Sequence, residues 1–272
     1  MLNFAMANDG PVIVDVDGAV AHVQLNRPDK LNALDSPMFE GLVSAGKRLM
    51  SDADIRSVVI SGNGRAFCAG LDFKQFARIA DGAGGRAPAP PANDERIGGA
   101  KALGQQAALV WSQVPVPVIV GIHGVAYGGG LQIALGADIR VASPDAGLSV
   151  MEVQWGLIPD MAGTQLLPEL VGRDVAKDLT FTGRVVSGSE AASIGLVTRL
   201  SDDPVAAAVE LAREIAGHDR NTLRHAKALL DMAGRVALQD GLDAEQHAIN
   251  ELLASPVVSA IAAERLQKLR GK

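Results

Sequence analysis

The chain has 272 residues, 48% hydrophobic and 21% charged, enough for one large domain or two smaller ones with a substantial core. Its formal net charge of −6 argues against nucleic acid or an anionic membrane surface as a partner. The single cysteine, Cys68, rules out an internal disulfide, and the first residues lack a basic segment leading into a long apolar one, so a soluble, cytoplasmic protein is expected.

Along the chain, "VIVDVDGAVAHVQL" holds two β-rich runs around Asp17-Gly18, a hairpin pattern. In the next segment Ser36 can cap a helix with Pro37 at its first position, and Met38, Leu42, Ala45 and Leu49 recur at helical spacing. "IRSVVISGNG" predicts a buried strand ending in a glycine turn. Residues 81–99 are rich in Gly, Pro and Ala with little to bury, and predict a loop. A helix through "AKALGQQAALVWSQV" follows, then the strand "PVIVGI". Residues 114–135 are apolar enough for a membrane span, but Pro115, Pro117 and five glycines break them into strand, turn and helix.

The strand "DIRVAS" comes next, followed by short helices at "TQLLPELVG" and "SGSEAASIG". In the second of these, Ser187 and Glu190 have capping-box spacing and Gly195 suits the end. Beyond about residue 203 only helical patterns remain. The division expected is therefore an α/β core over residues 1–203 and a helical region over 204–272.

Several local patterns carry no chemistry. "GLVSAGKR" approximates a phosphate loop, but Arg48 replaces the required hydroxyl and the segment lies within a helix. The five histidines form no metal-ligating cluster, and there is no GxSxG elbow. Cys68 reads as a small buried residue.

Two glycine-bearing turns remain, "GRAFCAGLDFK" (64–74) and "GVAYGGGLQIAL" (124–135). Each follows a predicted strand and opens toward a helix. Glycine lets main-chain N–H groups approach a ligand, and two such groups from separate turns make an oxyanion hole; close packing of two backbones uses glycine equally well. A third segment, "LSVMEVQWGLIPDMAGTQ", sets Glu152 among Leu148, Val150, Met151, Val153 and Trp155, with Asp160 eight residues later. Apolar surroundings raise a carboxyl pKa into a range useful for moving protons, although such an acid also serves as a capped or paired structural group.

"NRPDKLNALD", "GNGRAFCAGLDFK", "HGVAYGGGLQIALGADIRVAS" and "GLIPDMAGTQLLPELVG", in this order, resemble the enoyl-CoA hydratase/isomerase (crotonase) family. The resemblance implies a spiral of ββα units with a C-terminal helical region that assembles homotrimers or dimers of trimers. It implies an acyl-CoA thioester as ligand, with no separate cofactor, since coenzyme A belongs to the substrate. It assigns the oxyanion hole to the N–H groups of Leu71 and Gly129, and the surroundings of coenzyme A to Arg27, Lys30, Ala33, Ala69, Asp72 and Lys74. Family hydratases use two glutamates; Glu152 matches the second, but the first position holds Gln132, whose amide exchanges no proton at neutral pH. Asp160 matches a position where dienoyl-CoA isomerases carry an acid. The sequence therefore favours double-bond isomerisation, with Glu152 as base and Asp160 as possible partner. Hydration with Gln132 or Asp160 positioning water is the alternative, and a catalytically silent acyl-CoA binder is the reading from another class.

Overall fold

The computed structural model describes residues 10–73, 77, 81 and 95–270. β1 (Val12–Asp17) and β2 (Val20–Leu25) form the expected antiparallel hairpin, with Gly18 at φ +59° in its turn. β3 (Ser57–Gly62) and β4 (Val118–Ile122) then add in parallel. These two strands are buried at every position, which is why they read as continuous apolar runs rather than alternating ones. A second, smaller sheet begins with β5 (Val125–Tyr127). The large sheet continues with β6 (Ile139–Ala142), and the small one with β7 (Gly147–Ser149) and β8 (Val186–Ser187). β9 (Arg199–Leu200) closes the large sheet, in the order β1-β2-β3-β4-β6-β9.

The spiral arises because β2, β3, β4 and β6 are each followed by a short extended segment that pairs in a second layer. Leu34 bridges to Leu71, Cys68 bridges to Ala126, and β5 pairs with β7. Helices return the chain to the next strand. α1 (Ser36–Ser51) packs against α2 (Leu103–Gln113), burying Met38, Leu42, Leu49 and Trp111. Burying one such side chain contributes about 1.5–3 kcal/mol.

The cap of α1 is Asp35, not Ser36 as the sequence pattern suggested. Asp35 Oδ1 accepts from Met38 N at 3.1 Å while Oδ2 pairs with Arg27 at 3.0 Å. A carboxylate fixed by an ion pair and favoured by the helix dipole displaces a hydroxyl from that role.

α3 (Gly129–Leu135) follows the glycine run, and a 3₁₀ turn spans Met151–Trp155. α4 (Gly163–Val171), α5 (Arg173–Thr182) and α6 (Gly188–Ser193) close this side. Ser187 caps α6 as expected, accepting from Glu190 N at 3.1 Å, but the Glu190 side chain pairs with Arg184 at 2.6 Å instead of completing a capping box.

α7 (Pro204–Ala216) lies on the outer face of the large sheet. There Ala208, Leu211 and Ala212 cover Val20, Val59, Ile119 and Val141. The chain continues through α8 (Arg220–Met232), α9 (Leu238–Leu253) and α10 (Pro256–Arg270). α8 is anchored by Lys227, whose buried Nζ reaches Asp138 Oδ2 at 2.8 Å and the carbonyls of Trp111 and Val116 at 3.3 Å each. Removing one member of such a pair strands the other, so Lys227→Met is expected to cost about 3 kcal/mol, read as a fall in unfolding free energy by urea titration.

The loop expected over 81–99 falls mostly outside the described residues, as does the helix expected after the first glycine turn. Within its described end, Ile97 is buried and pairs with Ala100.

Candidate active site

Residues following the carboxyl ends of β2, β3 and β4 converge on a cavity of about 680 Å³. Open α/β sheets commonly bind ligands at this end, because the connecting loops fan out there. One residue holds these segments together. Asn32, fully buried at φ +56°, directs Nδ2 at the carbonyls of Asn63, Ala66 and Phe67 (2.9–3.1 Å). Its Oδ1 accepts from Arg27 N at 2.8 Å. Asparagine suits a left-handed position and offers both donor and acceptor. Sequence reasoning passed over it, although it is the polar residue inside "KLNAL".

The two glycine turns run side by side. Cys68 N donates to Val125 O and Tyr127 N donates back to Cys68 O, both at 3.0 Å. Gly130 permits this approach: a Cβ there would lie 2.5 Å from Cys68 O and 2.8 Å from its Sγ. Gly70, at φ +89°, does the same against Tyr127 O. Gly70 and Gly130 thus serve the close packing of the two turns. Leu71 and Gly129, the predicted oxyanion-hole residues, line the cavity together, and among the described residues neither main-chain N–H has an acceptor. Cys68 is buried, and burial pushes its thiol up to about 12, which makes it unreactive.

Glu152 and Gln132 meet across 20 residues of sequence. Gln132 Nε2 donates to Glu152 Oε1 at 2.6 Å, and Gln132 Oε1 accepts from Met161 N at 2.8 Å and Gly163 N at 3.0 Å. Glu152 Oε2 is buried and has no hydrogen-bond partner among the described residues. Burial drives the Glu152 pKa upward, the hydrogen bonds from its own main chain and from Gln132 oppose that, and the charge of Asp160 adds to the rise. Asp160 is exposed and lines the same cavity. All three catalytic candidates therefore share one chamber.

Lys30, Ala33, Ala69 and Asp72 also line the cavity, whereas Arg27 lies behind it. Its guanidinium is held by Asp35 and Asp72, each at 3.0 Å, and by the carbonyl of Ala33. Its charge is therefore already matched within the protein, and it shapes the 27–35 loop. Lys30 is half-exposed, with Nζ 3.6 Å from Asp72. Lys74 lies outside the described residues. Sequence reading missed Arg65, Tyr127, Met161 and the edge-to-face pair of Phe73 and Trp155, whose ring centroids are 6.2 Å apart; all of these line the chamber.

This combination of spiral, paired turns and buried carboxyl has counterparts. A family model described as enoyl-CoA hydratase/isomerase matches residues 15–260. The chain belongs to the enoyl-CoA hydratase/isomerase family. It is 35% identical over 248 residues to a Mycobacterium tuberculosis protein named "Probable enoyl-CoA hydratase EchA14", covering 91% of each chain. It is 31% identical over 232 residues to the peroxisomal Delta(3,5)-Delta(2,4)-dienoyl-CoA isomerase of Arabidopsis thaliana, covering 84% of this chain and 83% of that one. Among solved structures, DspI of Pseudomonas aeruginosa superposes with a TM-score of 0.83 at 28% identity, covering 98% of both chains. The fold of this family member is accordingly the crotonase-like spiral that the motifs implied.

The chain carries two glycine turns, and Gln132 gives it an amide beside the buried acid. Among the described residues no group of three His, Cys, Asp or Glu side chains is arranged to hold a metal ion, and no helix is long and apolar enough to cross a membrane.

Proposed function

We propose that the protein is an enzyme acting on an acyl-CoA thioester, and that it moves a carbon–carbon double bond by proton transfer. The observation that carries this reading is Glu152 Oε2, a buried carboxyl oxygen without a partner among the described residues, on a chamber also lined by Leu71 and Gly129, whose N–H groups have no acceptor among those residues. With the thioester oxygen between those two donors, Glu152 takes a proton from C2 of a 3-enoyl thioester. The electron pair delocalises onto the thioester oxygen as a dienolate, and the same proton is returned at C4 to give the 2-enoyl product. Each oxyanion-hole donor is worth about 2.7–4 kcal/mol in such a transition state. Lys30 and Lys74 are suited by charge to the phosphates of coenzyme A, while Ala33 and Ala69 are small residues on the chamber wall; Asp72 and Arg27 hold the loop from which Lys30 projects.

Hydration is the second reading, favoured by Asp160, an additional acid on the same chamber wall that can position water. Self-association as a homotrimer or a dimer of trimers is supported by the apolar side chains exposed on the C-terminal helices, among them Leu230, Leu238 and Leu253. The cytoplasmic location inferred from the sequence belongs to the same proposal.

Incubation with trans-2-enoyl- and trans-3-enoyl-CoA in D₂O, followed by mass spectrometry and NMR, separates the two reactions. Interconversion of the two thioesters without a 3-hydroxyacyl product is the expected result, with the proton carried between C2 and C4 largely retained rather than replaced by deuterium. Accumulation of 3-hydroxyacyl-CoA would put hydration first.

A further inference from the structure

The amide of Gln132 can sit in only one orientation. Its Oε1 faces two main-chain donors, Met161 N and Gly163 N, so flipping the amide would set N–H against N–H. Those donors come from a turn centred on Ala162, which holds φ +68°, a left-handed conformation otherwise adopted among the described non-glycine residues only by Leu31 and Asn32. Gly163 leaves the space the amide needs: a Cβ there would lie 2.6 Å from Gln132 Oε1. A strained, glycine-bearing turn thus fixes the Gln132 oxygen, and Nε2 is left to point at Glu152 Oε1 at 2.6 Å.

We propose that Gln132 is a positioning residue that divides the labour between the two oxygens of Glu152, holding Oε1 as an acceptor and leaving Oε2 as the one atom that moves protons, and that this commits the site to proton shuttling. The inference rests on the proposed function for its chemistry and on the hydrogen-bond geometry for its substance. A glutamate at position 132 would keep the contacts to Met161 N and Gly163 N, but would bring two carboxyl oxygens together at this short distance, where they must share a proton. An amide supplies a proton donor there and exchanges none. Glu152 is therefore steered toward its ionised form, against the effect of burial.

The other charges around Glu152 are few. Asp160 acts on it directly. Asp29, Lys30, Arg65, Asp72 and Tyr127 are the other described ionisable residues that line the same chamber. α3 carries no ionisable residue, the one acid of α4 (Glu169) pairs with Arg235, and Asp178 of α5, the helix packed on the 151–155 turn, pairs with Arg184.

The test is a ¹³C NMR titration of the Glu152 carboxyl in the full-length protein, with the resonance assigned through Glu152→Gln. In Gln132→Met, which keeps chain length and removes the donor, the midpoint is expected to rise by about one pH unit or more. In Gln132→Glu, a single step is expected to become two coupled ones. If Gln132→Met fails to fold, Gln132→Glu carries the test, because it retains an acceptor for Met161 N and Gly163 N. An unshifted midpoint in folded Gln132→Met, or a single unshifted step in Gln132→Glu, overturns the proposal. The titration uses no substrate, so its failure is distinct from failure of the isomerase reading, which would show as absent interconversion by the wild-type protein. With turnover established, Gln132→Glu is further expected to raise the ratio of hydroxyacyl to isomerised product, and an unchanged ratio would remove the claim about commitment.

Discussion

Replacing Glu152 by glutamine is expected to lower kcat for enoyl-CoA interconversion about 10³-fold, in the middle of the range for loss of a general acid–base and equivalent to about 4 kcal/mol. The geometry explains why binding should survive. The replacement has the same length, its oxygen can still accept from Gln132 Nε2, and the chamber walls contributed by Leu34, Tyr127 and Met161 are unaffected. The Kd of a non-reactive CoA thioester, read by calorimetry, is therefore expected to stay near the wild-type value while turnover falls. Unchanged turnover would assign the base elsewhere, with Asp160 the next acid on the same wall.

The pH dependence of the wild type follows from the same carboxyl. Burial raises its pKa above the ordinary glutamate value, and the base must be ionised to accept a proton. The acid limb of kcat/KM is therefore expected above the usual glutamate range, with activity lost as pH falls through it. Stability runs the opposite way. The folded state holds this proton more tightly than the unfolded chain does, so the group's contribution is fully present below the ordinary value and is lost as pH rises through the folded one.

How much of this could be read beforehand depends on the distance over which each feature is encoded. β3 and β4 were legible because a strand buried on both faces must be apolar throughout, as "SVVIS" and "VIVGI" are. β5 and β7, three residues each, were not: a strand that short shows no period, and its identity comes from pairing in a second layer. Glu152 betrayed its burial through five apolar neighbours. The donor holding it, Gln132, was identifiable as an amide at a notable position, but its orientation depends on the main-chain N–H groups of Met161 and Gly163, which have no side-chain signature. Arg27 illustrates the reverse difficulty. The family resemblance set Arg27 beside coenzyme A, where a basic side chain suits phosphate, and only the folded chain brings Asp35 and Asp72 to its guanidinium.

The second large effect is expected from a single methyl group. In Gly130→Ala, the added Cβ would fall 2.5 Å from Cys68 O, 2.7 Å from Cys68 Cβ and 2.8 Å from its Sγ. Two of these contacts cannot be relieved by a rotamer change, because they involve the main chain and Cβ, so the turns carrying Leu71 and Gly129 must separate. Forcing an extra methyl into packing this close costs about 1–3 kcal/mol of stability. The larger consequence is catalytic. The two N–H donors act together only if both reach one oxygen, and a displacement of about 1 Å costs on the order of 10²-fold in rate. Gly241→Ala supplies the control, since its Cβ meets only Val236 Cγ2 at 3.9 Å, an ordinary contact on α9. That variant is expected to melt at or slightly above the wild-type temperature, because alanine favours a helix interior over glycine, with kcat unchanged. Measuring Tm and kcat for both variants distinguishes a packed seam from an oxyanion site. Loss of stability alone in Gly130→Ala would make these glycines a packing device, whereas loss of kcat beyond that accounted for by the folded fraction would tie the approach of the two turns to the chemistry.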